Sequence, residues 1–270
     1  MNLIDRGHGV PVVLIPGIQG RWEWMKPTVE ALAAHCRVLT FSLADEPTAG
    51  ADIEAPGFDG YVAQVRQALD QARLERAVIC GVSYGGLVAS AFAATHPDRL
   101  AALVLASALP PSWQLNDRAR FYLRAPRLLS PVFCLASLRL YPEIAAASGG
   151  HWPGVRAAAR VGARAIRHPF HPVRMARRAT FTPTMSATTP DDLRVPVLLI
   201  TGDEGLDKVV PPRLTMEYRR RWPHAQHAIL PRTGHLGIVT RAREFAGLVA
   251  PFAQQAVQDA ELASRRRHVG

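Results

Sequence analysis

The stretch Gly81-Val82-Ser83-Tyr84-Gly85 sets a hydroxyl between an apolar β-rich run, Ala77 to Val82, and a helical pattern, Leu87 to Thr95. It has the form G-x-S-x-G with a strand before it and a helix after it, a setting that holds a serine on a sharp turn with its hydroxyl free to attack a carbonyl carbon. Small flanking residues let the chain make that turn. Taken alone, the pentapeptide reads equally well as an N-cap serine in a glycine-rich turn, so other residues must decide. A serine hydroxyl is a weak nucleophile at neutral pH and needs a base within hydrogen-bond reach. His235, in "AILPRTGHLGIVTRAREF", follows a short β-rich run and a glycine and precedes the last helical pattern. An imidazole in that loop suits the task, whereas a lone histidine after a turn reads as a surface residue. Acyl transfer also develops charge on an oxygen, which two backbone N–H groups stabilise. In "VVLIPGIQGRWEW", Gly17 and Gly20 leave the backbone open, with Ile18 as one donor and Tyr84, next after the serine, as the other. The bland reading of that segment is a plain strand-to-helix turn.

Such groups have to be brought together by a scaffold. Apolar runs at Val12 to Ile15, Val38 to Phe41, Ala77 to Val82, Leu100 to Ala106, Val195 to Thr201 and Ala228 to Leu230 alternate with helical patterns. The helical patterns lie at Pro27 to Ala34, Tyr61 to Ala72, Leu87 to Thr95, Pro212 to Arg221 and Ala242 to Ala260. Runs that are nearly all apolar are what parallel strands buried on both faces require. The alternation predicts an α/β fold with a doubly wound, mostly parallel sheet, whose chemistry gathers beyond the carboxyl ends of the strands. Between Ser107 and Asp192 the rhythm gives way to proline-punctuated helical stretches. This predicts a helical cap over residues 107–192, inserted into one discontinuous core domain of residues 1–106 and 193–264. The arginine-rich end, "SRRRHVG", is expected to be frayed.

In the order of oxyanion turn, elbow Ser83, helical insertion, acid loop and late His235, the chain resembles the α/β-hydrolase fold family, in its serine-nucleophile, carboxylesterase-like members. The likeness covers nearly the whole length. It implies a triad of Ser83, His235 and an aspartate. In the family that aspartate follows the glycine after the late strand by three positions and precedes a Val-Pro pair. Counting from Gly202 reaches Gly205; counting back from Val210-Pro211 reaches Asp207. The loop "GDEGLDKVVPP" is then the family loop lengthened by two residues, with Asp207 the expected acid and Asp203 and Glu204 the alternates. The chain departs from the family in having Pro16-Gly17 where many members have His-Gly. The chain begins only a short strand before that turn, so the family's first strand or hairpin is expected to be absent. A serine at the elbow sets the chain apart from haloalkane dehalogenases and epoxide hydrolases, which carry an aspartate there. The resemblance implies hydrolysis of a small-molecule ester or acyl compound through an acyl-enzyme, with no cofactor and no metal. C–C bond hydrolases, lactonases, thioesterases and acyltransferases share the same machinery, and a non-catalytic ligand receptor is the reading from another class.

Composition narrows the partners. The chain has 270 residues, 48% of them apolar, and a formal charge of +10, in which Lys26 and Lys208 are the only lysines. No zinc-finger spacing, RNA-binding aromatic motif or basic-region heptad accompanies that charge, so no nucleic-acid partner is expected. Cys36, Cys80 and Cys134 are too few and too scattered for a disulfide framework. With no leader pattern at the amino terminus and no run near the ~18 apolar residues of a membrane span, a cytoplasmic protein is expected. Gln19, Trp22, Trp24, Trp113, Phe121 and Trp152 are candidates to line an acyl pocket, although large aromatics commonly serve as core. Arg156, Arg160 and Arg164 recur at i,i+4 spacing, with Arg167 on nearly the same face. That stripe reads as a solvated face or as a surface for an anionic substrate, an acidic partner or a membrane.

Overall fold

A computed structural model of the chain describes residues 1–50, 57–110, 112–115, 117–180 and 193–269. The first part runs β1 (Ile4–Arg6), β2 (Pro11–Ile15), α1 (Lys26–Ala33), β3 (Arg37–Thr40), α2 (Phe58–Gln71), β4 (Ala77–Val82), α3 (Tyr84–Thr95) and β5 (Leu100–Ala106). Among the described residues five helices follow: α4 (Asp117–Arg124), α5 (Ser130–Ala136), α6 (Tyr141–Ser148), α7 (His151–Arg167) and α8 (Pro172–Thr180). The chain then returns to the sheet with β6 (Val197–Thr201), α9 (Pro212–Thr215), α10 (Tyr218–Arg221), β7 (Gln226–Ile229), α11 (Gly237–Thr240) and α12 (Ala242–Val269). The seven strands order as β1-β3-β2-β4-β5-β6-β7. Every neighbouring pair is parallel except β1 with β3.

The expected strands and helices are present, with three differences. A further strand precedes β2: β1 pairs antiparallel with β3 at the sheet edge, and Asp5 on it holds Arg37 at 2.7 Å. Its three residues are largely exposed, so it carries no apolar run. The single helix expected over Pro212 to Arg221 is two short pieces, α9 and α10. The last helix continues to Val269, taking in the arginine-rich end; no glycine or proline between Pro251 and Val269 interrupts it. Part of the expected 107–192 segment, residues 181–192, lies outside the described residues.

The near-continuous apolar strands follow from a sheet covered on both faces. Successive side chains alternate sides. Val13, Ile15, Leu39, Ile79 and Leu103 pack with α2, α3, Tyr218 and Trp222. Val12, Leu14, Val38, Val78 and Val104 pack with Val29 and Leu32 of α1 and Phe245 and Val249 of α12. Burying each such side chain contributes about 1.5–3 kcal/mol. This apolar sandwich fixes the strand ends from which the loops at the carboxyl edge depart.

The inserted helices are fastened to that edge by a buried cation. Arg178 on α8 is wholly buried. Its Nε and Nη2 donate to Oδ1 of Asp45 at 2.9 and 2.7 Å, Nη2 also to Oε1 of Glu46 at 2.5 Å, and Nη1 to the carbonyl of Ile18 at 2.8 Å. Arg174 reaches Glu46 Oε2 at 3.3 Å. Gly20 makes room for the guanidinium: with φ +75 it is in the left-handed region, and an added Cβ would collide with Arg178. Trp24 completes the junction, stacking on Phe170 with centroids 4.5 Å apart and donating its Nε1–H to the His168 carbonyl at 3.2 Å. Removing one partner of a buried ion pair leaves the other charge uncompensated, at a cost of about 3–5 kcal/mol. Arg178→Met is therefore expected to lower unfolding stability by about that amount in urea titration, and Glu46→Gln added to it to recover part of the loss. An unchanged midpoint in Arg178→Met would contradict this view of the junction.

Candidate active site

Between the last residue of β4 and the first of α3 stands Ser83, with φ 53 and ψ −117. A non-glycine residue there costs of order 1–3 kcal/mol and persists only where its surroundings enforce it. They do so here through the backbone: Ser83 N–H donates to Ala106 O at 3.0 Å, and Ser83 O accepts from Gly86 N at 2.9 Å and Leu109 N at 3.2 Å. The corner is also tight. A Cβ on Gly85 would lie 2.5 Å from the Pro16 carbonyl oxygen, and one on Gly81 would collide with the Gly85 carbonyl. Only glycine lets α3 close against the end of β2. Ser83 is 6% exposed.

The turn after β2 lies beside it. A Cβ on Gly17 would be 3.5 Å from Cβ of Ser83 and 2.8 Å from Oε1 of Gln19, so these three residues are neighbours. Gly20 N–H closes the turn on Gly17 O at 2.9 Å, while Arg178 holds the Ile18 carbonyl from the other side. The Ile18–Gln19 peptide, next to the one that carries the Ile18 N–H, is thus fixed by a guanidinium on α8. Tyr84 is fully buried, edge-on to Phe58 and Tyr61 with centroids 6.2 Å from each. Its amide belongs to the first turn of α3, at the positive end of the helix dipole. Two backbone N–H groups, those of Ile18 and Tyr84, therefore belong to segments that meet at Ser83.

The late loops are stitched together through Asp203. Its N–H donates to Thr233 O at 2.8 Å, its Oδ2 accepts Arg232 N–H at 2.8 Å, and its carbonyl accepts the N–H groups of Leu206 and Asp207 at 3.0 and 3.2 Å. That turn swings Asp207 inward, where its side chain is fully buried. Asp207 Oδ1 accepts Val209 N–H at 3.0 Å and Val210 N–H at 2.8 Å, and Oδ2 lies 3.4 Å from Nδ1 of His235. At that length, and with no other partner on either atom among the described residues, the contact is an electrostatic pairing rather than a closed hydrogen bond. Burial pushes the Asp207 carboxyl up, but the His235 ring and the Val210 and Val209 amides together outweigh it and hold the group below its ordinary range. The structure brings Asp207, not Asp203, against His235; Glu204 is exposed. All hydrogen bonds of Ser83 among the described residues run through its backbone.

One acid in this site escaped the sequence reading. Glu143 on α6 is 2% exposed; its Oε2 accepts Leu236 N–H at 2.8 Å and also bonds Gly234, so the residues on both sides of His235 turn to one carboxylate from the inserted helices. Oε1 is buried with no partner among the described residues. The available signal was its isolation, since it is the only acid between Asp117 and Asp191. Of the aromatic candidates, Trp24 is buried against Phe170, and Trp22 and Trp113 are half-buried, Trp113 against the α2–α3 core. Phe121 is 48% and Trp152 74% exposed, so neither is enclosed around Ser83. Among the described residues no three His, Cys, Asp or Glu gather as a metal site.

Burial pushes the Glu143 carboxyl up from 4.5 to about 7, with the Leu236 amide and His235 opposing. A raised carboxyl stabilises the fold most as the neutral acid: the contribution is complete below the unfolded value of 4.5 and is lost as pH rises through about 7. Glu143→Gln keeps an acceptor for the two amides without the charge. Its stability is expected to gain on the native protein by about 3 kcal/mol between about pH 5 and pH 8, read from urea midpoints at each pH. A difference that is flat with pH would show that Glu143 does not titrate in this range.

The comparisons with known proteins agree with the fold. Residues 10–242 match the family described as the alpha/beta hydrolase fold. A 2-hydroxy-6-oxo-2,4-heptadienoate hydrolase of Pseudomonas putida is 34% identical over 125 residues, 43% of this chain and 44% of that protein. A pimeloyl-(acyl-carrier protein) methyl ester esterase of Yersinia enterocolitica is 27% identical over 239 residues, 84% of this chain and 86% of that protein. The solved esterase of Exiguobacterium antarcticum superposes with a TM-score of 0.74 at 15% identity, covering 93% of this chain and 94% of the other. With a sheet ordered around the Ser83 corner and a family match over most of its length, this chain belongs to the α/β-hydrolase fold family.

Proposed function

We propose that the protein is a serine hydrolase that cleaves a small carboxylic ester or related acyl compound through an acyl-enzyme on Ser83. In this reading His235 takes the hydroxyl proton as Ser83 Oγ attacks the carbonyl carbon, and the N–H groups of Ile18 and Tyr84 receive the oxyanion. The tetrahedral intermediate collapses, the C–O bond to the leaving alcohol breaks, and His235 protonates that alcohol. Water then repeats the sequence on the acyl-enzyme and releases the acid. Asp207 holds the histidine with its Nδ1–H inward and stabilises the imidazolium formed in each half. The helices between β5 and β6 serve as the cap, and Gln19, Trp22 and Trp113 are the pocket candidates nearest the core.

The observation that carries the reading is the enforced positive φ of Ser83, at the same sheet edge as His235 and the buried Asp207 beside it. A serine needed only as a cap gains nothing from that conformation. The relatives support ester chemistry through the Yersinia enterocolitica enzyme. A second reading, C–C bond hydrolysis on the same triad, is favoured by the 34% identity to the Pseudomonas putida hydrolase. Side-by-side turnover of p-nitrophenyl esters and of 2-hydroxy-6-oxo-2,4-heptadienoate separates the two.

The triad assignment is tested by a fluorophosphonate probe together with two aspartate variants. Labelling is expected to be stoichiometric, to map to Ser83 and to vanish in Ser83→Ala; a folded protein that is not labelled would point to a receptor. Asp207→Asn leaves the histidine poorly oriented and is expected to cost about 10⁴ in kcat, with the fold retained. Asp203→Asn weakens the brace to Arg232 and is expected to lower stability while leaving kcat within about tenfold, since a hydrogen bond to a charged group contributes about 1.5–3 kcal/mol. The opposite ranking of the two variants in kcat would move the acid to Asp203.

A further inference from the structure

The charge of this chain is concentrated in one place. Between Asp117 and Thr180 the sequence has twelve arginines against two acids, Asp117 and Glu143, a formal +10 equal to that of the whole chain, so the remainder is electroneutral. The same segment carries eight of the eleven large apolar side chains exposed among the described residues, Leu128, Trp152 and Ile166 being about three-quarters exposed or more. Charge and exposed apolar surface therefore coincide on the inserted helices.

On α7 the two are ordered. At 3.6 residues per turn, Val155, Ile166 and Trp152 fall along one stripe and Arg156, Arg167 and Arg160 along the stripe beside it, and all six are exposed. The opposite side of α7 is the packed one: Gly154 is buried, and a Cβ there would lie 2.8 Å from Cα of Ala145 on α6. A surface helix ordinarily turns its apolar stripe to the core. This one turns an apolar stripe outward, and no acid on α7 neutralises the arginines next to it. Arg156, Arg160 and Arg167 make no ion pair among the described residues.

We propose that this outer face of the inserted helices docks on an anionic lipid surface. The arginines would meet the headgroup phosphates, and Trp152, Val155 and Ile166 would enter the boundary between headgroups and acyl chains. A helix lying in that boundary has a cationic face beside an apolar one, with tryptophan at the junction. A second copy of this chain does not fit as the occupant, because an isologous contact would set the exposed Arg156, Arg160 and Arg167 against the same three arginines, with no acid on α7 to offset them. An acidic protein would satisfy the arginines, but the bare apolar stripe needs a medium that takes large side chains without a shaped recess, and a bilayer supplies both. No helix of the described residues is long and apolar enough to cross a membrane, so the contact is peripheral. The inference is independent of the ester reading.

The full chain is tested by sedimentation with vesicles of phosphatidylcholine alone or with added phosphatidylglycerol. Binding is expected only with the anionic lipid and is expected to weaken with salt. The triple variant Arg156→Gln, Arg160→Gln, Arg167→Gln should bind on the order of 100-fold more weakly, about fivefold per charge. Trp152→Ser with Ile166→Ser, at unchanged charge, should bind at least ~10-fold more weakly. All substituted residues are exposed, and circular dichroism melts verify that the variants are folded. Absence of vesicle binding would overturn the proposal, as would undiminished binding in either variant. Capture by polyglutamate without vesicle binding would also overturn it and assign the face to an acidic protein.

Discussion

The structure turns on one costly piece of backbone, the left-handed conformation of Ser83. It holds because β4 lies in the middle of the sheet, between β2 and β5, so both neighbours contribute: Ala106 at the end of β5 accepts the Ser83 N–H, and Pro16 after β2 presses on Gly85. Those strand ends are held in place because the apolar runs behind them are buried on both faces. The strain is thus sustained by ordinary hydrophobic packing in the interior of the sheet. What it secures is a hydroxyl beside two converging backbone segments.

Around that corner the polar loops are fixed by buried polar groups that the inserted helices supply. A guanidinium, Arg178, holds the carbonyl side of the Gly17–Gly20 turn; a carboxyl group, Glu143, holds the N–H side of the loop carrying His235. Both are buried, where an unpaired polar group is expensive, so each loop is favoured in one arrangement. The insertion is therefore part of the site's framework. Its outer side has a different chemistry, with arginines unneutralised and apolar side chains exposed.

Much of this was legible in the sequence because the core obeys simple rules. All-apolar runs marked β2 to β6, and G-x-S-x-G between a strand and a helix marked the corner. Asp207 emerged from a family register of two extra residues, and the structure shows what those residues do: the Asp203 carbonyl collects two N–H groups, and the loop bends inward. What was hidden was hidden for physical reasons. β1 is an exposed edge strand of three residues, held by an ion pair rather than by apolar side chains. Glu143 and Arg178 act through contacts 93 and 160 residues away in the chain, which no local spacing can display. Trp152 looked like pocket lining because a tryptophan's type does not tell which side of a helix it takes.

The central claim is that Ser83 itself becomes acylated. Acid-quenching the enzyme during turnover of a p-nitrophenyl ester and mapping the peptides by mass spectrometry tests it most directly. The account predicts an acyl group on the peptide containing Ser83, accumulating when His235→Ala slows its removal by water more than its formation by an activated ester. Ester turnover that persists in Ser83→Ala, with no acylated peptide in the native protein, would contradict it.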